Sequence, residues 1–419
     1  MKYKILLCTF FIITAFSCFA QKNNIAYAIT GDGNNDFTWM NIRQIDLSTG
    51  QVVKTIFQHD KTHFLMTDVA TKKYTDQTAT TNGNNLGVAT SPTGSFVAAA
   101  AYDKRSNKLF FTPMRTGELR WLDLNIKNET PEFYTLSSNA FNTGDKNDEA
   151  NHITRMVIAA DGNGYAVTND GNHLIRFTTG KKPVINDLGN LVDAEQNNSL
   201  SIHNKCSSWG GDMLADAFGK LYIITANRNV FVIDIYSRVA SFLGTITGLP
   251  GAYTTNGAAV DADGNIVVSS ANVFEGYFKL KLGDLAAVRL EGSDKKFNAS
   301  DLANGNLLLQ KEADAANKFS LAGNNNTGDY LIFANSKLFP NPVTGTSFKV
   351  LLNGYKEGFY TIVLTDIAGR ILQSNKVNIA KGQQFETFNL KSRPSKGMYM
   401  VKVLDAQKQI IFTEKTMIQ

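Results

Sequence analysis

The sequence predicts an all-β chain: a β-propeller of about six blades followed by a small Ig-like β-sandwich. Three observations carry this reading. Short β-branched and aromatic runs alternate with Gly, Asn and Asp turns through the middle of the chain, and few segments hold a helical period. A hairpin unit recurs, with turn glycines Gly162, Gly219, Gly264 and Gly305 spaced 57, 45 and 41 residues apart. Beyond Leu338-Phe339-Pro340-Asn341-Pro342 the pattern becomes a period-two alternation.

The first element is an export signal. Lys2 and Lys4 precede an apolar run from Ile5 to Phe16, and polarity returns at Gln21. The run is 12 residues, well short of the roughly 20 needed to span a bilayer. It reads as a signal peptide, residues 1–20, cut between Ala20 and Gln21. Lipidation at Cys18 ranks second, because Ala15-Phe16-Ser17 lacks the usual aliphatic residue three positions upstream. After cleavage Cys206 is the single cysteine, so no intrachain disulfide can form and the core must supply the stability. No membrane span is expected in the mature chain.

The middle region, residues 21–335, holds the repeat. Extended runs are expected at Ile25–Thr30, Asn41–Leu47, Val97–Tyr102, Lys108–Thr112, Arg155–Ala160, Tyr165–Thr168, Leu221–Thr225, Val230–Ile235 and Ile266–Ser269. Asp161-Gly162 and Asp263-Gly264 suit tight hairpin turns, which need positive φ. Each hairpin is followed by two more extended runs, giving four strands per unit, the blade of a propeller. Ile25–Phe57 reads as the last three strands of a blade, and the weaker copy near Asn298–Leu309 would supply the missing one and close the ring. Gly94 or the Asp103–Asn107 turn marks the second hairpin. A solenoid or a long sandwich is the competing architecture. The pattern resembles YVTN-like and NHL-like secreted propellers.

The third element is residues 336–419, with seven or so short strands in sandwich-like alternation. Its charge is +7, against −4 for the middle region. Four motifs follow in order: Phe339-Pro340-Asn341-Pro342, then Asp366-Ile367-Ala368-Gly369-Arg370, then Gly397-Met398-Tyr399-Met400-Val401-Lys402-Val403, and the ending Glu414-Lys415-Thr416-Met417-Ile418. In these residues the segment resembles the C-terminal sorting domain of the type IX secretion system of Bacteroidetes. The resemblance implies passage into the periplasm by the signal peptide, then export through the type IX translocon, which recognises this tail. The product would be secreted or held at the outer cell surface.

Candidate site residues come from the loops that lead into the innermost strands. Glu149, His152, Trp209, Asp212 and Asn256 would gather around one channel mouth, with Trp209 as a stacking face and the acids as acceptors for hydroxyls. The same residues also suit the capping of strand ends. No nucleophile elbow, phosphate loop or dinucleotide fingerprint appears. His59 and His63 are four apart, but Asp60 follows His59 where the zinc-protease motif needs Glu. Asp32-Gly33-Asn34-Asn35-Asp36 has the alternating oxygens of a calcium loop without its bidentate Glu. Neither a metal nor a cofactor is expected, and the net charge of +5 is too small for a dedicated nucleic-acid binder. The expected function is a non-catalytic binding or interaction protein at the cell surface, with an extracellular glycan as the possible ligand. The alternative is a polysaccharide-acting propeller enzyme using Glu149, His152 and Asp212.

Overall fold

The computed structural model describes residues 24–33, 36–78, 91–125, 129–292, 297–314, 337–353, 357–367, 369–379 and 383–419. The signal segment and the Ala20–Gln21 cleavage point lie outside the described residues. The chain forms two compact units, Met1–Asp314 and Ala315–Gln419. Among the described residues, no helix is long and apolar enough to cross a membrane.

Among the described residues the first unit is a ring of five blades, antiparallel apart from the outer strands His63–Asp68 and Val192–Asp193. Their innermost strands are Ala299–Ala303 in blade one, Val97–Asp103 in blade two, Ile153–Ile158 in blade three, Asp212–Ala215 in blade four and Gly257–Val260 in blade five. Each contacts the next in this order, and the fifth returns to the first. Five apolar clusters follow the same circuit. Phe57 and Ile42 of blade one pack on Phe111 and Val97 of blade two. Phe110 and Trp121 of blade two meet Phe177 and Met156 of blade three. Val167 meets Ile223 between blades three and four, and Tyr222 meets Val268 between four and five. Ala259 and Tyr277 of blade five then pack on Ala28 and Leu47 of blade one. The hydrophobic core is thus a closed belt of seams between blades, which leaves no sheet face unpaired.

Closure joins the two ends of this unit. Ile25–Thr30 pairs with Ala299–Ala303 on one side and Asn41–Asp46 on the other, so the N-terminal stretch supplies three strands of blade one and the C-terminal copy the fourth. That is the arrangement the repeat anticipated. The described residues form five blades where the spacing led to an expectation of about six. His63–Asp68 and Tyr74–Thr78, in position for a further blade, instead form a hairpin on the outer edge of blade two, where His63–Asp68 runs parallel to Glu132–Ser137. The hairpin of blade two turns at Asp103–Asn107 rather than at Gly94. The fourth copy of the repeat is not a hairpin either. After Ala303 the chain passes to blade four, where Leu308 donates to Ala215 O at 3.0 Å, because the innermost strand already has its partner in the N-terminal strand.

A ring of five brings its innermost strands close to the axis, and two of them carry mostly small residues. Val97–Asp103 reads VAAAAYD and Gly257–Val260 reads GAAV. A Cβ on Gly257 would lie 2.9 Å from Leu302 Cγ and 3.0 Å from the Asp301 carbonyl carbon, both in blade one.

The second unit is two packed sheets. One has the order Lys337–Phe339, Ser347–Asn353, Gln383–Asn389, and the other Ile371–Ile379, Gly358–Asp366, Gly397–Leu404, Ile410–Ile418. Phe348, Val350 and Leu352 face Ile362, Leu364, Val401 and Val403 across its core.

The tight axis makes a direct prediction. Gly257→Ala should cost about 1–3 kcal/mol through overpacking, whereas Gly283→Ala, with open space around its Cβ position, should change stability by less than about 0.5 kcal/mol. Denaturant unfolding of both variants measures this.

Candidate functional site

The upper face of the ring is the one at which the innermost strands begin. Short capped turns build it. Asp148 caps the single turn Glu149–Asn151 by accepting from Ala150 N at 3.0 Å. Asn204 caps Lys205–Ser208 through Cys206 N and Ser207 N. Asn169 ties two blades together, accepting from Thr154 Oγ1 at 2.8 Å and Gly210 N at 2.9 Å while donating to Glu149 O at 2.8 Å. Gly210 and Gly211 both have positive φ, and a Cβ on Gly211 would collide with Ile224 O, so the turn into blade four requires glycine there.

These turns bring Glu149 and Trp209 together through a residue that sequence reasoning did not select. The Lys205 Nζ lies 3.0 Å from Glu149 Oε2 and 5.0 Å from the centre of the Trp209 ring. Glu149 and Lys205 are exposed, while Trp209 is half-buried and donates Nε1 to His203 O at 3.0 Å. His152 is buried, with Nε2 donating to Lys146 O at 2.8 Å. Asn256 serves the blade-five turn, accepting from Thr254 Oγ1 at 2.6 Å and Ala271 N at 3.0 Å.

Asp212 is elsewhere, at the ring axis and wholly buried. Its Oδ1 accepts from Met213 N at 2.6 Å, and its Oδ2 from Ala258 N at 2.6 Å and Leu302 N at 3.3 Å, so one carboxylate reaches blades four, five and one. Beside it stands Asp301, equally buried, whose oxygens accept no N–H in good geometry. From blade three the buried Arg155 donates Nε to Gly210 O at 3.0 Å, Nη1 to Thr168 O at 3.2 Å and Nη2 to Ser208 O. Burial drives the Asp212 carboxyl up to about 8 against its three backbone donors. Burial, then the charge of Asp212, raises Asp301 well above the usual carboxylate range, and burial lowers Arg155 to about 10. Two adjacent buried carboxyls share a proton more readily than they both ionise. Arg155 spends its donors on backbone carbonyls and is acted on by the charge of Asp170 first and of Asp212 second. Asp301 and Arg155 were legible only as members of extended runs, since nothing in their spacing marks them as axial. At the lower end of the axis, Ala100, Met213, Ala258 and Leu302 line a recess with room for about one water, ≈ 10 Å³.

In the second unit the motif residues hold one another. Asn341 donates Nδ2 to Glu414 Oε1 at 3.2 Å and to Lys415 O at 2.8 Å, and accepts from Thr416 Oγ1 at 3.1 Å. The Pro340-Asn341-Pro342 segment is thereby clasped to the last strand. Asp366 accepts from Arg370 N at 2.9 Å and Arg370 Nε at 2.7 Å around a turn in which Gly369 has φ +83°. Gly397 opens the strand that carries Tyr399, whose hydroxyl donates to Ser395 O at 2.7 Å. Residues 337–419 match the family model described as secretion system C-terminal sorting domain. The tail is a type IX sorting domain. It marks the chain as cargo for export to the cell surface or outside.

No curated protein matches the chain. Among solved structures it is similar to PorZ, a surface component of the type IX secretion system of Porphyromonas gingivalis, at 13% identity and a TM-score of 0.32, covering 94% of this chain and 51% of PorZ. The chain therefore spans about half the length of PorZ. It is also similar to virginiamycin B lyase from Staphylococcus aureus, at 9% identity and a TM-score of 0.34, with 95% of this chain and 96% of that one covered. A streptogramin B lyase structure gives 13% and 0.35 over 67% and 92%.

The carboxyl pair fixes a pH dependence. Both groups hold protons more tightly in the folded than in the unfolded state, so their contribution to stability is complete below the unfolded value of 3.8 and is lost as pH rises, for Asp212 through about 8 and for Asp301 through a value well above the usual carboxylate range. Asp301→Asn keeps a donor beside Asp212 and removes one of the two titrating carboxyls, relieving the like charge on the other. Its melting temperature should exceed that of the wild type by on the order of 5 °C at pH 8, with the gap shrinking toward pH 5. Melts at the two pH values test this; a gap that stays constant would contradict it.

Proposed function

We propose that this protein is a surface-delivered recognition module. A signal peptide takes it to the periplasm, its sorting domain takes it through the type IX translocon, and the upper face of the propeller then binds a polar, glycan-like ligand without catalysis. The observation that carries this reading is the group Glu149, Lys205 and Trp209. A carboxylate, an ammonium and an indole are presented on turns pinned by Asp148, Asn169 and Asn204, above an axis filled by Arg155, Asp212 and Asp301. Sugar hydroxyls suit such a mixed set of donors, acceptors and an apolar ring.

A polysaccharide-acting enzyme is the second reading, favoured by one observation. A carboxyl raised to about 8 has the proton affinity of a general acid. Against it, Asp212 is occupied by three backbone donors and His152 by the Lys146 carbonyl.

Two experiments test the proposal. On a glycan array, Trp209→Ala should reduce binding by at least about tenfold with an unchanged melting temperature, since an aromatic contact with a buried ligand is worth on the order of 1–2 kcal/mol. Glycan depolymerisation by the wild-type protein, lost in Asp212→Asn at an unchanged melting temperature, would instead favour the enzyme. In a type IX-competent host, deletion of residues 337–419 should leave folded propeller in the periplasm; normal export of that truncation would overturn the route.

A further inference from the structure

The clasp and the turn of the sorting domain are internal to it. Asn341 holds Glu414, and Asp366 holds Arg370. The core takes Tyr399, Val401 and Val403 from the strand Gly397–Leu404, and Ile418 from the last strand, Ile410–Ile418. Side chains alternate along a strand. Met398, Met400 and Lys402 therefore face away from the core, and so do Lys415 and Met417.

Strand pairing gathers these outward residues. Met398 lies opposite Met417, and Met400 opposite Lys415. Met400 also lies opposite Thr365, and Thr365 opposite Ile371, so one row crosses all four strands of the sheet. Ile367 stands at the end of Gly358–Asp366, in the turn. Three separate motif segments, 366–370, 397–403 and 414–418, thus meet at one end of one sheet face.

That end is apolar and basic. Thr365 is buried in the middle of the row, and around it Ile367 is 77% exposed, Ile371 67% and Met417 41%. Met398 and Met400 are half-buried. All six exposed large apolar side chains among the described residues of this unit belong to this sheet or to its turn. Exposed apolar groups gathered on one face mark an interaction surface, and methionine adapts its shape to a partner. The outward positions of the four strands include Lys376, Lys402 and Lys415 and no Asp or Glu. The Lys415 carbonyl serves the clasp, which leaves the ammonium to the face.

The match to a secretion sorting domain supplies the occupant, and the face supplies the chemistry. Taking the export route proposed above as given, we propose that Ile367, Ile371, Met398, Met400, Lys415 and Met417 form the surface by which the tail docks on the type IX export machinery. The partner surface would be apolar at its centre and rimmed by carboxylates.

Full-length variants in a type IX-competent host test this, with the exported and periplasmic fractions quantified. Met417→Glu, Met400→Glu and Lys415→Glu should each reduce export by at least about tenfold, leaving folded protein of unchanged melting temperature in the periplasm. Met417→Leu and Lys415→Arg should be exported as the wild type is. So should Ile410→Glu, at the far end of the same face, opposite Leu404. Met417 is exposed, so Met417→Glu carries the test if Met400→Glu fails to fold. Deletion of residues 337–419 separates this surface from the route. If the truncation is retained while the Glu variants are exported normally, the docking surface is overturned and the route stands; if the truncation is exported, both fall. Equal loss of export in Ile410→Glu would overturn the assignment, as would wild-type dimers that Met417→Glu dissolves with export unchanged, since the face would then be a self-interface.

Discussion

Asp212 holds the ring at its centre. A single carboxylate accepts backbone N–H groups from blades four, five and one. It can do so only because five innermost strands converge closely enough for one short side chain to span three of them. Hydrogen bonds to a buried charge are among the stronger ones available, and their loss leaves each donor unpaired in the interior. Asp301 and Arg155 complete the group from blades one and three. Each blade seam is apolar, but the register between blades is set by these polar contacts on the axis.

The same convergence explains the composition of the innermost strands. Alanine and glycine fill Val97–Asp103 and Gly257–Val260 because larger side chains would meet the neighbouring blade. Seam residues on strands further out are large: Tyr222, Phe177 and Phe57, on the second, third and fourth strands of their blades, fill the widening wedge between blades. Packing thus grades from small to large with distance from the axis. The upper-face loops sit above this rigid plug, which is why short polar turns can hold Glu149, Lys205 and Trp209 in a defined arrangement.

Several motif residues of the sorting domain hold its own fold. Asn341 grips the last strand, and Asp366, Gly369 and Arg370 close a turn. These residues are recognisable in the sequence because backbone geometry demands them at set positions, and a turn or a clasp leaves a local signature. Lys415 stands apart, since its carbonyl, and not its ammonium, takes part in the clasp.

The sequence by itself determined the all-β class, most strand positions, three of the four repeat hairpins, the closure of the first blade by two distant segments, and the sorting tail. All of these rest on local periodicity, turn chemistry or ordered motifs, which are written along the chain. Tertiary structure decided the number of blades, because strand pairing alone dictates whether residues 63–78 begin a new sheet or extend an old one. It also decided which polar residues meet. Asp212 read as a mouth residue and lies on the axis; His59, noted in the sequence only for standing four residues from His63, lies 4.0 Å from Asp32; Lys205, unremarked in the sequence, links Glu149 to Trp209. A propeller places residues tens of positions apart in one spot through the rotation of each blade about the axis, and no pattern along the chain encodes that rotation.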